Sequence, residues 1–101
     1  MIREAPLRHT ITFRIEADNY EALKAAVEYV MAFVVDSTTG YVCGSHLCIC
    51  KPKAEWDGNS QLIVKSCVKR AAYAVAKLLA KMYSQHGGRM IRIVKCEEYR
   101  I

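Results

Sequence analysis

A chain of 101 residues has room for one ordinary hydrophobic core and not two, so residues 1–101 are expected to form a single domain. Apolar residues at 52% and charged residues at 25% exclude a disordered tail and fit a soluble globular protein. The net charge of +5 favours an acidic partner, whether nucleic acid, an anionic membrane or an acidic protein surface, without choosing among them.

Five cysteines (Cys43, Cys48, Cys50, Cys67 and Cys96) cannot all pair with one another, and no charged leader followed by an apolar run and a cleavage site opens the chain. Reduced thiols in a cytoplasm are the expectation. The longest apolar run, residues 30–35, is far too short to cross a bilayer, so no membrane partner is expected.

In chain order, Leu7, His9, Ile11, Phe13 and Ile15 alternate with Arg8, Thr10, Thr12, Arg14 and Glu16. That period of two predicts a strand with one buried and one wet face. Asp18 then opens a helix reaching about Val35, with Glu21 at the spacing of a capping box. Leu23, Ala26, Val27, Val30 and Val34 share one side of it. Tyr29 and Phe33 widen the apolar sector, as a helix packed on more than one side or meeting a second subunit requires.

Residues 41–53 are strand-like, as one strand or as two broken at Gly44-Ser45. Asp57-Gly58 is the pair preferred in hairpin turns, so residues 61–65 are expected to return as a strand. A second helix starts near Ser66 and ends at Gly87-Gly88, which supply a left-handed C-terminal cap. Residues 90–96 form a last strand, and residues 97–101 a charged tail. The resulting order is βαββαβ, predicting an α+β, ferredoxin-like domain whose antiparallel sheet carries both helices on one face.

The stretch 64–83 carries the clearest functional signal. Val64, Cys67, Val68, Ala71, Val75, Leu78, Leu79 and Met82 fall within an arc of about 120°. Lys65, Lys69, Tyr73, Lys77 and Lys81 recur every fourth residue on the opposite side, with Arg70 among them. No Asp or Glu occurs from Cys67 to Gln85, although a helix built only for solubility usually mixes signs because i,i+4 repulsion has a cost. Lysines at that spacing suit successive phosphates, and a tyrosine among them suits an exposed base. The competing reading is a plain solvated face.

Residues 61–77, QLIVKSCVKRAAYAVAK, resemble the strand–helix step of Alba-type nucleic-acid-binding proteins, where a strand ending in Lys leads into a helix with further Lys and an Ala-Val pair. Lys65, Lys69 and Ala74-Val75 carry the match, and the resemblance implies nucleic-acid contact there. The chain departs from that pattern in its strand-like segment 41–53, in Val68 where Gly is usual, and in the lack of a hairpin after the last strand. The Lys-Arg-Ala-Ala run at 69–72 is also similar to the last helix of double-stranded-RNA-binding domains, without the strand pattern that precedes it there.

Cys43, His46, Cys48 and Cys50 are ligands of the right kind for zinc, but no second CxxC-like corner exists, and buried thiols acting as small hydrophobes are the stronger expectation. The chain contains no G-x-S-x-G, P-loop or G-x-G-x-x-G, so neither catalysis nor a cofactor is expected. Sheet-face RNA binding needs aromatics on central strands, where Thr10, Thr12 and Arg14 stand instead. Trp56 is either an exposed interface anchor or a ring folded back over the sheet.

These residues predict a non-enzymatic binding protein that meets nucleic acid or a nucleoprotein through Lys65, Lys69, Arg70, Tyr73, Lys77 and Lys81. The alternative is a protein–protein interaction module, such as a phage- or virus-encoded inhibitor of a host complex. A homodimer using Tyr29 and Phe33 or an edge strand is the third.

Overall fold

The computed structural model describes residues 3–36, 39–43 and 46–100, with side chains over 4–34 and 49–100. The elements run β1 (Arg3–Glu4), β2 (His9–Ala17), α1 (Tyr20–Asp36), β3 (Thr39–Cys43), β4 (His46–Cys50), β5 (Lys53–Trp56), β6 (Gln61–Ser66), α2 (Lys69–Gln85) and β7 (Ile91–Arg100). The fold is α+β, with two helices and a four-stranded antiparallel sheet in the order β5-β6-β2-β7. The chain does not follow the expected βαββαβ order. Between the two helices stand four strands, and β1, β4 and β3 form a small separate sheet. The segment 41–53, expected as one strand or two, holds β3 and β4, and β5 starts at its last residue and runs on to Trp56.

Strand alternation sets the core. Ile11 lies opposite Val64 and Phe13 opposite Leu62, and residues paired in register share a face. These four side chains are buried together with Leu23, Ala26, Val27 and Val30 of α1 and Ala72, Val75 and Leu79 of α2. Thr10, Thr12, Arg14, Ile63 and Lys65 occupy the other face. The two threonines are buried there because taller neighbours flank them on both sides.

The first helix is capped one residue later than expected. Asn19 Oδ1 accepts the Ala22 N–H at 3.1 Å, and the Asn19 carbonyl accepts the Leu23 N–H at 3.0 Å. Asp18 is thereby available for another duty. It accepts the Tyr83 hydroxyl and the backbone N–H groups of Arg89 and Met90, which tie the end of α2 to the turn after β2. Those donors hold the Asp18 carboxyl below its usual range, the Tyr83 hydroxyl contributing most. Burial pushes the Tyr83 hydroxyl up, and the Asp18 carboxylate adds to that.

The hairpin turn forms as the Asp-Gly pair predicts. Asp57 Oδ1 accepts the N–H groups of Asn59 and Gln61, and Gly58 has φ +84°. Trp56 at the end of β5 is folded back, stacked on Tyr20 with ring centroids 6.2 Å apart, so it is not an exposed anchor. The start of α2 also differs from expectation. Ser66 ends β6 and donates its hydroxyl to the Val68 carbonyl at 2.7 Å, which holds Cys67 and Val68 in a turn and delays the helix to Lys69.

Candidate nucleic-acid interface on the second helix

Helix α2 is amphipathic as its spacing predicts. Ala71, Ala72, Val75, Ala76, Leu79, Met82 and Tyr83 are buried, while Lys69, Arg70, Lys77 and Lys81 are exposed. Over the whole of α2 no acidic side chain occurs. Its N-terminus has no side-chain cap, and Lys69 and Arg70 occupy the first turn, where the helix dipole disfavours cations.

That unfavourable placement is answered from another strand. Glu98 of β7 reaches Lys69 Nζ with Oε1 at 2.7 Å and Lys95 Nζ with Oε2 at 2.8 Å. The two ammonium groups, Lys69 first, hold the Glu98 carboxyl well below its ordinary 4.5, at about 2. A β-bulge makes the contact. The register of β7 against β2 shifts between Thr12 and Phe13, so Lys95 lies opposite Phe13 while Glu98 lies opposite Ile11. Both then face the helices. Without the extra residue, Glu98 would fall on the outer face.

The bulge also explains why the end of the chain was misread. Residues 97–100 are not a tail but the last part of β7, paired with His9 to Thr12. Glu98 and Lys95 were therefore missed as members of the site. The alternation that signals a strand breaks at Cys96, and four of residues 97–101 are polar or charged enough to pass for a solvated end.

The six residues singled out in the sequence do not form one stripe. Lys69, Arg70, Lys77 and Lys81 share the outer side of α2, spread over about 18 Å of helix. Lys65 does not join them. It sits on the face of β6 away from the helices, opposite Thr10 on one side and Lys53 on the other. Tyr73 is on the helix but is turned inward, half-buried and edge-on to Phe13 at 5.8 Å, with an interplanar angle of 74°. It is a packing ring, not a platform for a stacked base.

The remaining candidates fall as follows. His9 is half-buried at the helix-side end of β2, its Nδ1 enclosed and without a hydrogen-bond partner. Cys50 is buried, and its Sγ accepts the Cys67 backbone N–H at 3.3 Å, joining the small sheet to the start of α2. Cys43 pairs with His46 in backbone register, but Gly44, Ser45 and the side chains of Cys43, His46 and Cys48 lie outside the described residues, and the zinc expectation lies there with them. Among the described residues no group of three His, Cys, Asp or Glu is placed to hold a metal ion. Tyr29 and Phe33 are about half exposed, at 49% and 50%, on neighbouring turns of α1. No helix among the described residues is long and apolar enough to cross a membrane.

Compared with known proteins, the chain matches no family model, and neither a curated protein nor a solved structure is significantly similar to it.

Proposed function

We propose that this chain is a binding protein, not an enzyme, and that its partner is nucleic acid or a nucleoprotein met through the outer side of α2. The observation that carries the reading is the one-signed surface of that helix: Lys69, Arg70, Lys77 and Lys81 are exposed, and no acid occurs along it. Glu98 reaches it from β7 and engages the first of these cations. The site is narrower than the sequence suggests, since Lys65 stands on the other side of the sheet and Tyr73 packs inward.

With no exposed ring on this face, the chemistry on offer is phosphate contact, which positions a nucleic acid without reading its bases. Binding is then weakly dependent on sequence and strongly dependent on salt. Up to about four neutralised phosphates would give a log–log salt slope of roughly −3 to −4 on duplex DNA. The odd number of cysteines supports a cytoplasmic setting. The strand order β5-β6-β2-β7 under two helices supports reading the larger sheet as a split βαβ core of ferredoxin-like type with strands inserted after α1.

The test is a salt-titrated binding assay with generic single- and double-stranded DNA and RNA. Lys77→Glu with Lys81→Glu is expected to abolish binding and leave the circular dichroism spectrum unchanged, both side chains being exposed. Absence of binding to all four nucleic acids at low salt sinks the proposal.

A further inference from the structure

A second surface lies beside the basic one and calls for a different ligand. A groove of about 290 Å³ lies between α2 and β7. Phe13, Tyr73, Ala80, Ile91 and Ile93 give it an apolar lining, and the charged residues on its wall are Lys77 and Lys95. Among the described residues no acidic side chain lines it. Met90, immediately before β7, is 74% exposed, the largest exposure among the large apolar side chains of the described residues.

The strand beside the groove is an edge. Among the described residues β7 lies last in the sheet and pairs only with β2, so its other side presents backbone N–H and C=O groups. Over residues 91–95 its register is regular, and Ile91, Ile93 and Lys95 alternate along the side that lines the groove. Beyond that comes the bulge at Cys96, followed by Glu97, Glu98 and Arg100. Bulges and charges are what proteins place on an edge to stop it pairing at full length. The bulge thus divides β7 into a regular half, residues 91–95, and an interrupted one, although Arg92 and Lys95 charge the regular half as well.

We propose that residues 91–95 and the adjoining groove form a docking site for a short extended segment of a partner protein, added to β7 as a further strand, whose groove-side residues are apolar beside Ile91 and Ile93 and acidic beside Lys95. Unpaired backbone groups in a row are satisfied by another polypeptide backbone, which a nucleic acid does not offer. Every second side chain of an added strand turns toward the helix side, so only those residues meet the groove. Among these, apolar residues beside Ile91 and Ile93 enter the groove between α2 and β7, and an acidic residue beside Lys95 meets Lys95 and Lys77. Residues 91–95 carry Arg92 and Lys95 and no acid, so a second copy of β7 would bring cations and not an acidic residue to this edge, which argues against it as the occupant. This site does not rest on the nucleic-acid reading and fails separately from it.

The experiment uses three short synthetic peptides with the full chain, each made in both chain directions: a Val-Glu peptide that places Val, Val and Glu on one face with Thr between them, a Val-Lys peptide with Lys in place of that Glu, and the Val-Glu peptide N-methylated at every second backbone nitrogen on its pairing edge. Binding is read by backbone amide NMR shifts and hydrogen exchange. The Val-Glu peptide is expected to slow exchange within residues 91–95 and to bind at least about tenfold more tightly than either other peptide. Ala80→Trp, which fills the groove, is expected to weaken it by about tenfold or more and to leave nucleic-acid binding unchanged. Should Ala80→Trp disturb the fold, Lys77→Glu at an exposed position is expected to move the preference toward the Val-Lys peptide. The proposal is overturned if no peptide binds, if the N-methylated peptide binds as well as its parent, if protection maps away from β7, or if the chain alone self-associates with residues 91–95 protected.

Discussion

Gly88 is glycine for a steric reason, and Gly87 for a conformational one. Gly87 has φ +91° in the left-handed region, and open space surrounds the position its Cβ would occupy. Its N–H donates to the Ser84 carbonyl, while that of Gly88 donates to Tyr83, the pair of bonds that closes a Schellman cap. A Cβ on Gly88 would overlap the Tyr83 ring. That ring cannot retreat cheaply, being 1% exposed, with its hydroxyl donating to Asp18 and accepting the Asn19 N–H. Gly87→Ala is accordingly expected to cost about 1–2 kcal/mol, the penalty of a left-handed residue bearing a Cβ. Gly88→Ala is expected to cost about 2–4 kcal/mol, from overpacking and loss of the Tyr83 bonds. Urea denaturation of the two variants checks the order. The sequence shows that two glycines end the helix, but the ring against the second comes from the fold.

At the scale of elements, α2 and β7 are coupled through one carboxylate. Glu98 titrates at about 2 in the folded protein against an ordinary 4.5. A depressed carboxyl contributes stability that is fully present above its unfolded value and is lost as pH falls through its folded value. The window here is pH 4.5 down to about 2. Glu98→Gln is expected to flatten the stability profile within that window, measured by urea denaturation at a series of pH values. The same variant releases Lys69 and Lys95 from their shared acid. On the proposed function it should raise nucleic-acid affinity severalfold at low salt and steepen the salt slope by up to about one. An unchanged affinity would remove Lys69 from the interface. Periodicity located α2 and its basic side, yet the acid that answers it lies nearly thirty residues later, behind a bulge that erases the strand pattern.

For the whole molecule, β2 is the axis. It is paired with β6 on one side and β7 on the other, and its Ile11, Phe13 and Ile15 lie under both helices. Residues 97–100 complete its second pairing, from Thr12 back to His9. Ending the chain after Cys96 is thus expected to strip a partner from that half of β2, open the edge of the core at Ile11 and destabilise the protein by upward of about 3 kcal/mol. Thermal unfolding of the shortened chain against the full one measures this. If residues 97–101 were the tail their composition suggests, the midpoint would not move.

Local pattern alone determined the two helices, the first strand, the Asp-Gly hairpin, the glycine cap and the α+β class, because each depends on residues within a turn or two of one another. It also determined that α2 carries cations and no acid. Only the tertiary structure decided which of those cations act together. Lys65 is one residue from the end of a strand, and the parity of that strand puts it across the sheet from Lys69, four positions later. Tyr73 has the spacing of the basic stripe, but Phe13 on the central strand draws its ring inward. The register of β7 adds the partner of Lys69 and leaves an edge open beside the groove. Register, bulges and ring packing join residues far apart in the chain, and no local period encodes them.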